Sequence, residues 1–292
     1  MNNYPDWILK AIKKNKKDLS SEGIAVETKK ELGDYFANTI CYEALCPNKG
    51  ECFKSKHATF LILGTKCTRN CRFCAVDKSK PLPPDPKEPK RIADIASKWN
   101  IKYLVFTSPT RDDLNDGGAY HFARTIETIR EISPATMTEP LIPDFRGDIK
   151  SLETVISARP TVLSHNIETV PRLYSDIRGM ASYERSLNIL KMSKKIDPDI
   201  PTKSSIIIGM GEMMDEIKQT LIDLNKNLCD IVVIGQYLSP SNKHYPVKKY
   251  YTHKEFDILK DFALSIGIKS VVSEPLARSS YKALEAYKKA IN

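Results

Sequence analysis

The stretch ATFLILGTKCTRNCRFCAV, residues 58–76, sets the fold. An apolar run over about 58–64 reads as a buried strand, and it empties into a loop with cysteines at positions 67, 71 and 74. Similar apolar runs recur at about 101–107, 135–142, 161–166, 202–209 and 230–238. Between them, RIADIASKW, AYHFARTIETIREI, SLETVISAR, SYERSLNILKMSKKI and MDEIKQTLIDLNKN carry apolar residues at helical spacing, with Pro, Gly or polar clusters near their ends. Six alternating units predict a parallel sheet, which right-handed crossovers curl into a partial parallel (β/α)6 TIM-type barrel of the α/β class. Such barrels gather their chemistry at the carboxyl ends of strands. The loops expected there are 67–74, RDDLNDGG (111–118), HNIE (165–168), GMGE (209–212) and QYLSPS (236–241).

Around this barrel, expected over 58–240, lie an N-terminal extension, 1–57, and a C-terminal extension, 241–292, in which YTHKEFDILKDFALSIG and SYKALEAYKKAI read as helices. The proline-rich SKPLPPDPKEPK (79–90) reads as an extended surface loop, because its rings fix backbone angles and remove amide donors. The 292 residues are 41% hydrophobic and 28% charged, with no apolar run approaching the ~18 residues of a membrane span. That excludes a helical membrane protein and argues against wholesale disorder. Lys and Arg number 45 against 36 Asp and Glu, a net charge of +9. The excess gathers between Lys66 and Arg91 and after Arg278, and it reads as a solubility feature, with neither nucleic acid nor a membrane expected as partner. MNNYPDWILKAIKKNKKDLS has no apolar signal core, and its acidic residues without arginine argue against a transit peptide, so a cytoplasmic location is expected.

Seven cysteines stand at 41, 46, 52, 67, 71, 74 and 229. The odd number and the crowding of six into two triplets fit a disulfide framework poorly and metal ligation well. Structural zinc takes four closed ligands, and each triplet is one short even though His57 lies between them. Soft thiolates suit iron–sulfur clusters equally, and there an iron can be left to another ligand. A helical face would also align positions i, i+4 and i+7, but it leaves three cysteines unexplained. Cys229, far from both triplets, reads as a buried small hydrophobe.

The C-x3-C-x2-C spacing of Cys67, Cys71 and Cys74, with Phe73 before the last, resembles the radical S-adenosylmethionine enzymes. The resemblance implies a 4Fe-4S cluster whose fourth iron chelates the cofactor, and a 5′-deoxyadenosyl radical as the reactive species. CYEALCPNKGEC followed by ATFLILGTKCTRNCRFCAV narrows it to the lipoyl synthases. TSPTRDDLNDGGA, EPLIPDFRGD, SHNIETVPRLY, TKSSIIIGMGE, QYLSPSNKHYPV and EPLARSSYKA resemble that family in order, over about residues 40–283. Departures at Tyr42, Ile206 to Ile208 and Met213 neighbour the chemistry without being its ligands.

The family resemblance implies a second, auxiliary 4Fe-4S cluster on Cys41, Cys46 and Cys52, with a serine oxygen of the RSSY string as fourth ligand. Matching the motif puts that role on Ser280; chemistry alone does not choose between Ser279 and Ser280, and two serines before a helix would otherwise read as a cap. It also implies that Gly117 and Gly118 let backbone approach the cofactor, that Asn166, Lys203 and Arg178 stand near it, and that Arg278 orients or closes the auxiliary site. The implied reaction inserts two sulfurs, at C6 and C8 of a protein-bound octanoyl-lysine, with two S-adenosylmethionine molecules consumed and the auxiliary cluster as sulfur donor. Implied partners are octanoylated carrier proteins (lipoyl domains of oxo-acid dehydrogenases and the glycine-cleavage carrier), a low-potential electron donor and an iron–sulfur repair protein. Two competing readings are a transfer-RNA methylthiotransferase, for whose extra domains the chain has no room, and a non-catalytic metal-binding nucleic-acid module, which leaves the barrel pattern unexplained.

Overall fold

The computed structural model describes residues 4–20 and 23–292. Each apolar run becomes a strand: β1 (Phe60–Leu61), β2 (Tyr103–Thr107), β3 (Met137–Leu141), β4 (Leu163–Ser164), β5 (Thr202–Ile208) and β6 (Ile231–Gln236). A seventh, β7 (Ser270–Ser273), follows. All neighbours pair in parallel in the order β1 to β7, from Phe60 opposite Phe106 to Ile234 opposite Ser273. Consecutive order with parallel pairing is what repeated right-handed crossovers produce, and the sheet stays open between β1 and β7. The seventh strand extends the sheet beyond residue 240. Only Val271 and Val272 announce it, a run too short to show periodicity.

Helices α1 (Asp6–Ser20), α2 (Ile24–Asp34), α3 (Ile40–Glu43) and α4 (Lys49–Lys54) precede the barrel. Then come α5 (Glu88–Lys98), α6 (Ala119–Ile132), α7 (Ile149–Ser157), α8 (Tyr174–Ile177), α9 (Tyr183–Ile196), α10 (Met214–Lys226), α11 (His253–Ser265) and α12 (Ala283–Ile291). In α6 the buried stripe Ala119, Phe122, Ala123, Ile126 and Ile129 keeps helical spacing, and Asp116 accepts from the amides of Gly118 and Tyr120 to start the first turn. The end of the proline-rich stretch supplies the first turn of α5, where Pro89 needs no amide partner. Among the described residues no helix is long and apolar enough to cross a membrane.

One core joins the sheet's first half to α5, α6 and α7, and a second joins β5 and β6 to α9, α10 and α11. The last helix bridges the halves. Ala283, Ala286 and Ala290 of α12 pack with Tyr103, Val105, Val162 and Ile231, because small side chains let a helix approach the strands closely. This brings the carboxyl-terminal segment back across a sheet whose first strand lies more than 200 residues earlier, and it carries RSSY with it.

Candidate active site

The Cys67–Cys74 loop leaves β1 and is tied down on three sides. Cys67 N donates to Asp77 O at 2.7 Å, and Thr68 N to Thr110 O at 3.0 Å. Arg72 N donates to Ile177 O, and its own carbonyl accepts from Tyr245 N at 2.8 Å. Two amides, Thr110 N at 3.3 Å and Arg69 N at 3.4 Å, point at Cys67 Sγ. Arg69 is the clamp. Its guanidinium grips Asp112 through Nε and Nη2 at 2.8 and 3.0 Å, and Asp144 through Nη1 and Nη2 at 3.0 and 2.6 Å. One planar fork thereby fastens the loop after β1 to the loops after β2 and β3. Burial works against ionisation of Asp144, but Arg69 outweighs it and holds the carboxyl at about 2.

Arg111 makes a second clamp. It is 1% exposed and donates to Leu63 O and Leu82 O, both at 2.9 Å, while Asp113 balances its charge. Gly117 and Gly118 both take positive φ, 61° and 92°. A Cβ on Gly118 would collide with Leu63, and one on Gly117 would press on Phe145 at 3.0 Å. Both glycines are accounted for by the turn into α6 and its packing.

Facing the loop, Arg178 donates through Nη1 to Asn166 O, Ile167 O and Tyr174 OH, at 3.2, 3.2 and 2.9 Å. Burial opposes its charge, but Tyr174, Glu168 and the Cys71 thiol keep its pKa above the usual guanidinium range. Asn166 donates to Glu168 Oε1 at 3.0 Å. His165 donates from Nδ1 to Ile142 O at 2.9 Å in the tautomer that bond requires, and burial holds its pKa at about 4. Its Nε2, with Ser164 Oγ, Ser108 Oγ and Arg178 Nε, is buried without a hydrogen-bond partner. Orphaned polar atoms of this kind, at and beyond the ends of β2 and β4, suit a polar ligand.

The first triplet sits on the short turns α3 and α4. Cys41 is in α3, Cys46 follows it and Cys52 is in α4, which packs against α1 and α2. All six triplet cysteines are free thiols. Burial pushes Cys41, Cys52 and Cys74 up to about 12, and it raises Cys71; within each triplet the thiols lie near enough to raise one another further. Metal uptake here must therefore expel protons. Among the described residues no three His, Cys, Asp or Glu side chains converge on a single-ion site. A cubane asks for less convergence, since each thiolate binds its own iron.

The RSSY segment closes the first triplet. Gly235 on β6 makes room: a Cβ there would overlap Ala277 O and come within 3.4 Å of Arg278 Nη1. Asn48 Nδ2 donates to Leu276 O at 2.7 Å. The two serines then diverge. Ser279 Oγ donates to Asn166 Oδ1 at 3.0 Å, whereas Ser280 Oγ accepts from Thr59 Oγ1 at 2.7 Å, and Thr59 O accepts from Ile40 N, the neighbour of Cys41. Arg278 is half-buried and donates to Ala277 O, with no carboxylate partner among the described residues. Burial pulls its pKa down and the Cys46 thiol pulls it up, so an anionic group beside Cys46 suits it. Three thiols, a hydroxyl and an uncompensated guanidinium form a donor set that fits an anionic iron–sulfur cluster.

The structure thus brings together Cys41, Cys46, Cys52, Arg278 and Ser280 in one place, and Cys67, Cys71, Cys74, Asn166 and Arg178 in another. Phe73 packs partly buried against the core around β5 and β6. Lys203 is not brought to the cysteine loop. It is fully buried, with Nζ 2.8 and 3.1 Å from the two Glu139 oxygens, and Glu139 also accepts from Tyr103 OH at 2.6 Å. That ion pair satisfies it inside the barrel. Cys229 is buried and donates to Ile231 O, as a small core residue. The sequence reading missed Thr59, Arg69, Asp112, Asp144 and Gly235. Arg69 lies inside the quoted motif, but its partners are 43 and 75 residues away, so no local pattern marks them.

Residues 61–224 match the model of the Radical SAM superfamily, the class that this barrel and cysteine loop define. A methylornithine synthase shares the fold, with TM-score 0.56 at 15% identity over 93% of this chain and 87% of that one. A maturase of the FeFe hydrogenase does so with TM-score 0.57 at 13% identity over 98% and 78%. The lipoyl synthase of Caldicellulosiruptor saccharolyticus is 53% identical over 97% of both chains, and that of Aquifex aeolicus 51% identical over 89% of this chain and 94% of its own. The chain belongs to the lipoyl synthase family.

Proposed function

We propose that this enzyme inserts two sulfur atoms, at C6 and C8, into an octanoyl chain carried on a lysine of a carrier protein. The observation that supports this most is the Ser279–Ser280 dipeptide: one hydroxyl engages Asn166 beside the Cys67–Cys74 site, and the next engages Thr59 beside the Cys41–Cys52 site. Two donor sets joined by adjacent residues are what a reaction needs when one site creates a substrate radical and the other delivers sulfur to it.

In this reading Cys67, Cys71 and Cys74 hold one 4Fe-4S cluster, and Cys41, Cys46, Cys52 and Ser280 hold a second. When bound, the first supplies with S-adenosylmethionine a hydrogen-abstracting radical, used twice per lipoyl group, and the second is the sulfur source. The C–H bonds attacked are neither acidic nor polarised, so the protein's own acids and bases have no opening step to perform. Its residues hold and screen instead. Arg69 and Arg111 fix the loops around the first site, and Phe73 packs beneath it. Asn166 and Arg178 present polar groups beside Cys71, and the backbone at Gly117 and Gly118 shapes the adjoining turn. Arg278 offers charge to the second site.

The partners in this reading are octanoylated lipoyl domains and the glycine-cleavage carrier, a low-potential electron donor and a protein that rebuilds the consumed cluster. The test is mass spectrometry of an octanoyl-lysine peptide incubated anaerobically with reduced protein and S-adenosylmethionine. A gain of two sulfurs is expected. An unmodified peptide alongside full cofactor cleavage would overturn the reading.

A further inference from the structure

Thr59 immediately precedes β1 and is 6% exposed. Its carbonyl accepts from Ile40 N at 3.0 Å, which fixes it beside α3. Ile40 directly precedes Cys41, so this contact sets Thr59 beside the first cysteine of the triplet. The Thr59 hydroxyl donates to Ser280 Oγ at 2.7 Å, so this residue links the turn that carries Cys41 to a serine 221 positions beyond itself. A hydroxyl has one proton to give. Here that proton goes to Ser280.

We propose that Thr59 is a positioning residue that selects Ser280 as the oxygen ligand of the auxiliary cluster and stabilises it in that role. The proposal rests on the reading that the first triplet holds such a cluster. Selection follows from geometry: Ser279, the competing hydroxyl, is turned away to Asn166 at 3.0 Å. Stabilisation follows from charge. Were Ser280 Oγ to bond a cluster iron, its proton would pass to solvent and the oxygen would carry negative charge. A donor already at hydrogen-bond distance favours that form, and hydrogen bonds to charged oxygen are the stronger kind. An oxygen ligand to soft iron is the weak point of the set, so the strength of this one bond governs how readily that iron is released.

The test uses anaerobic holoprotein and a ferrous-iron chelator, following the release of the first iron per chain together with the Mössbauer signature of the oxygen-ligated site. Thr59→Val keeps the shape and removes the donor. It is expected to release that iron about three- to ten-fold faster than the parent, the range one hydrogen bond commands. Thr59→Ser restores the donor and is expected to restore both the rate and the signature, while Ser279→Ala is expected to release iron at the parent rate. If Thr59→Val does not accumulate, Thr59→Ala removes the same donor and is read in the same way. Parent-like release from the donor-less variant, or equal acceleration in Thr59→Ser, overturns the proposal alone. A parent protein holding about four irons, one cubane's worth, instead overturns the two-cluster reading beneath it.

Discussion

The two cysteine triplets are built in opposite ways. Cys67, Cys71 and Cys74 lie in one loop at the end of a strand, and a buried guanidinium with two carboxylates locks that loop to its neighbours. Cys41, Cys46 and Cys52 lie on short helical turns, and their site is completed from the far end of the chain by a hydroxyl resting on Thr59. The first arrangement suits a centre that must survive every turnover. The second suits one whose contents are given up, since the hydroxyl that reaches it is held by a single neutral hydrogen bond, from Thr59 to Ser280.

Cysteine replacement tests this contrast with the largest effect. Cys71→Ala is expected to abolish cleavage of S-adenosylmethionine, measured as 5′-deoxyadenosine. Cys46→Ala is expected to retain cleavage yet give no sulfur-containing product. Equal loss of cleavage in both would erase the distinction between the sites.

Arg69→Ala comes next. It leaves Asp144, whose side chain is fully buried, without its main counter-charge, and is expected to cost about 3 kcal/mol in denaturant unfolding. The same pair sets an acid dependence. Asp144 is held at about 2 in the folded protein against 3.8 ordinarily, so the stabilisation is complete above about pH 4 and is lost as pH falls toward 2, by about 2 kcal/mol. That loss should be missing from the pH profile of the Arg69 variant. An unchanged profile would show that another group holds Asp144 down.

Gly235→Ala is the gentlest probe. Its Cβ would overlap Ala277 O and push the RSSY segment off β6, at about 1–3 kcal/mol of overpacking. Product formation should fall more than cofactor cleavage does. A parallel fall in both would show that the segment supports the two sites equally.

The same contrast governs what was legible in the sequence. Strand and loop of the first site are contiguous, so periodicity and cysteine spacing located them, and all six predicted strands formed. Strand β7 has only two β-branched residues to announce it, and helices α1 and α2 carry no chemistry that would have drawn attention to them. At the second site the three cysteines were visible, while the hydrogen bonds that set Ser279 and Ser280 apart, to Asn166 and Thr59, reach more than 100 residues away. Lys203 shows the converse. A lysine at the start of a barrel strand invites a role with the cofactor, yet Glu139 on β3 meets it across the barrel interior, and strand periodicity says nothing about that pairing.

The division of labour itself is tested most directly by rebuilding the clusters with heavy-isotope sulfide and running one turnover on the octanoyl-lysine peptide in light-isotope buffer. The account predicts that both sulfurs of the product carry the heavy isotope. A product formed with light sulfur only would contradict it.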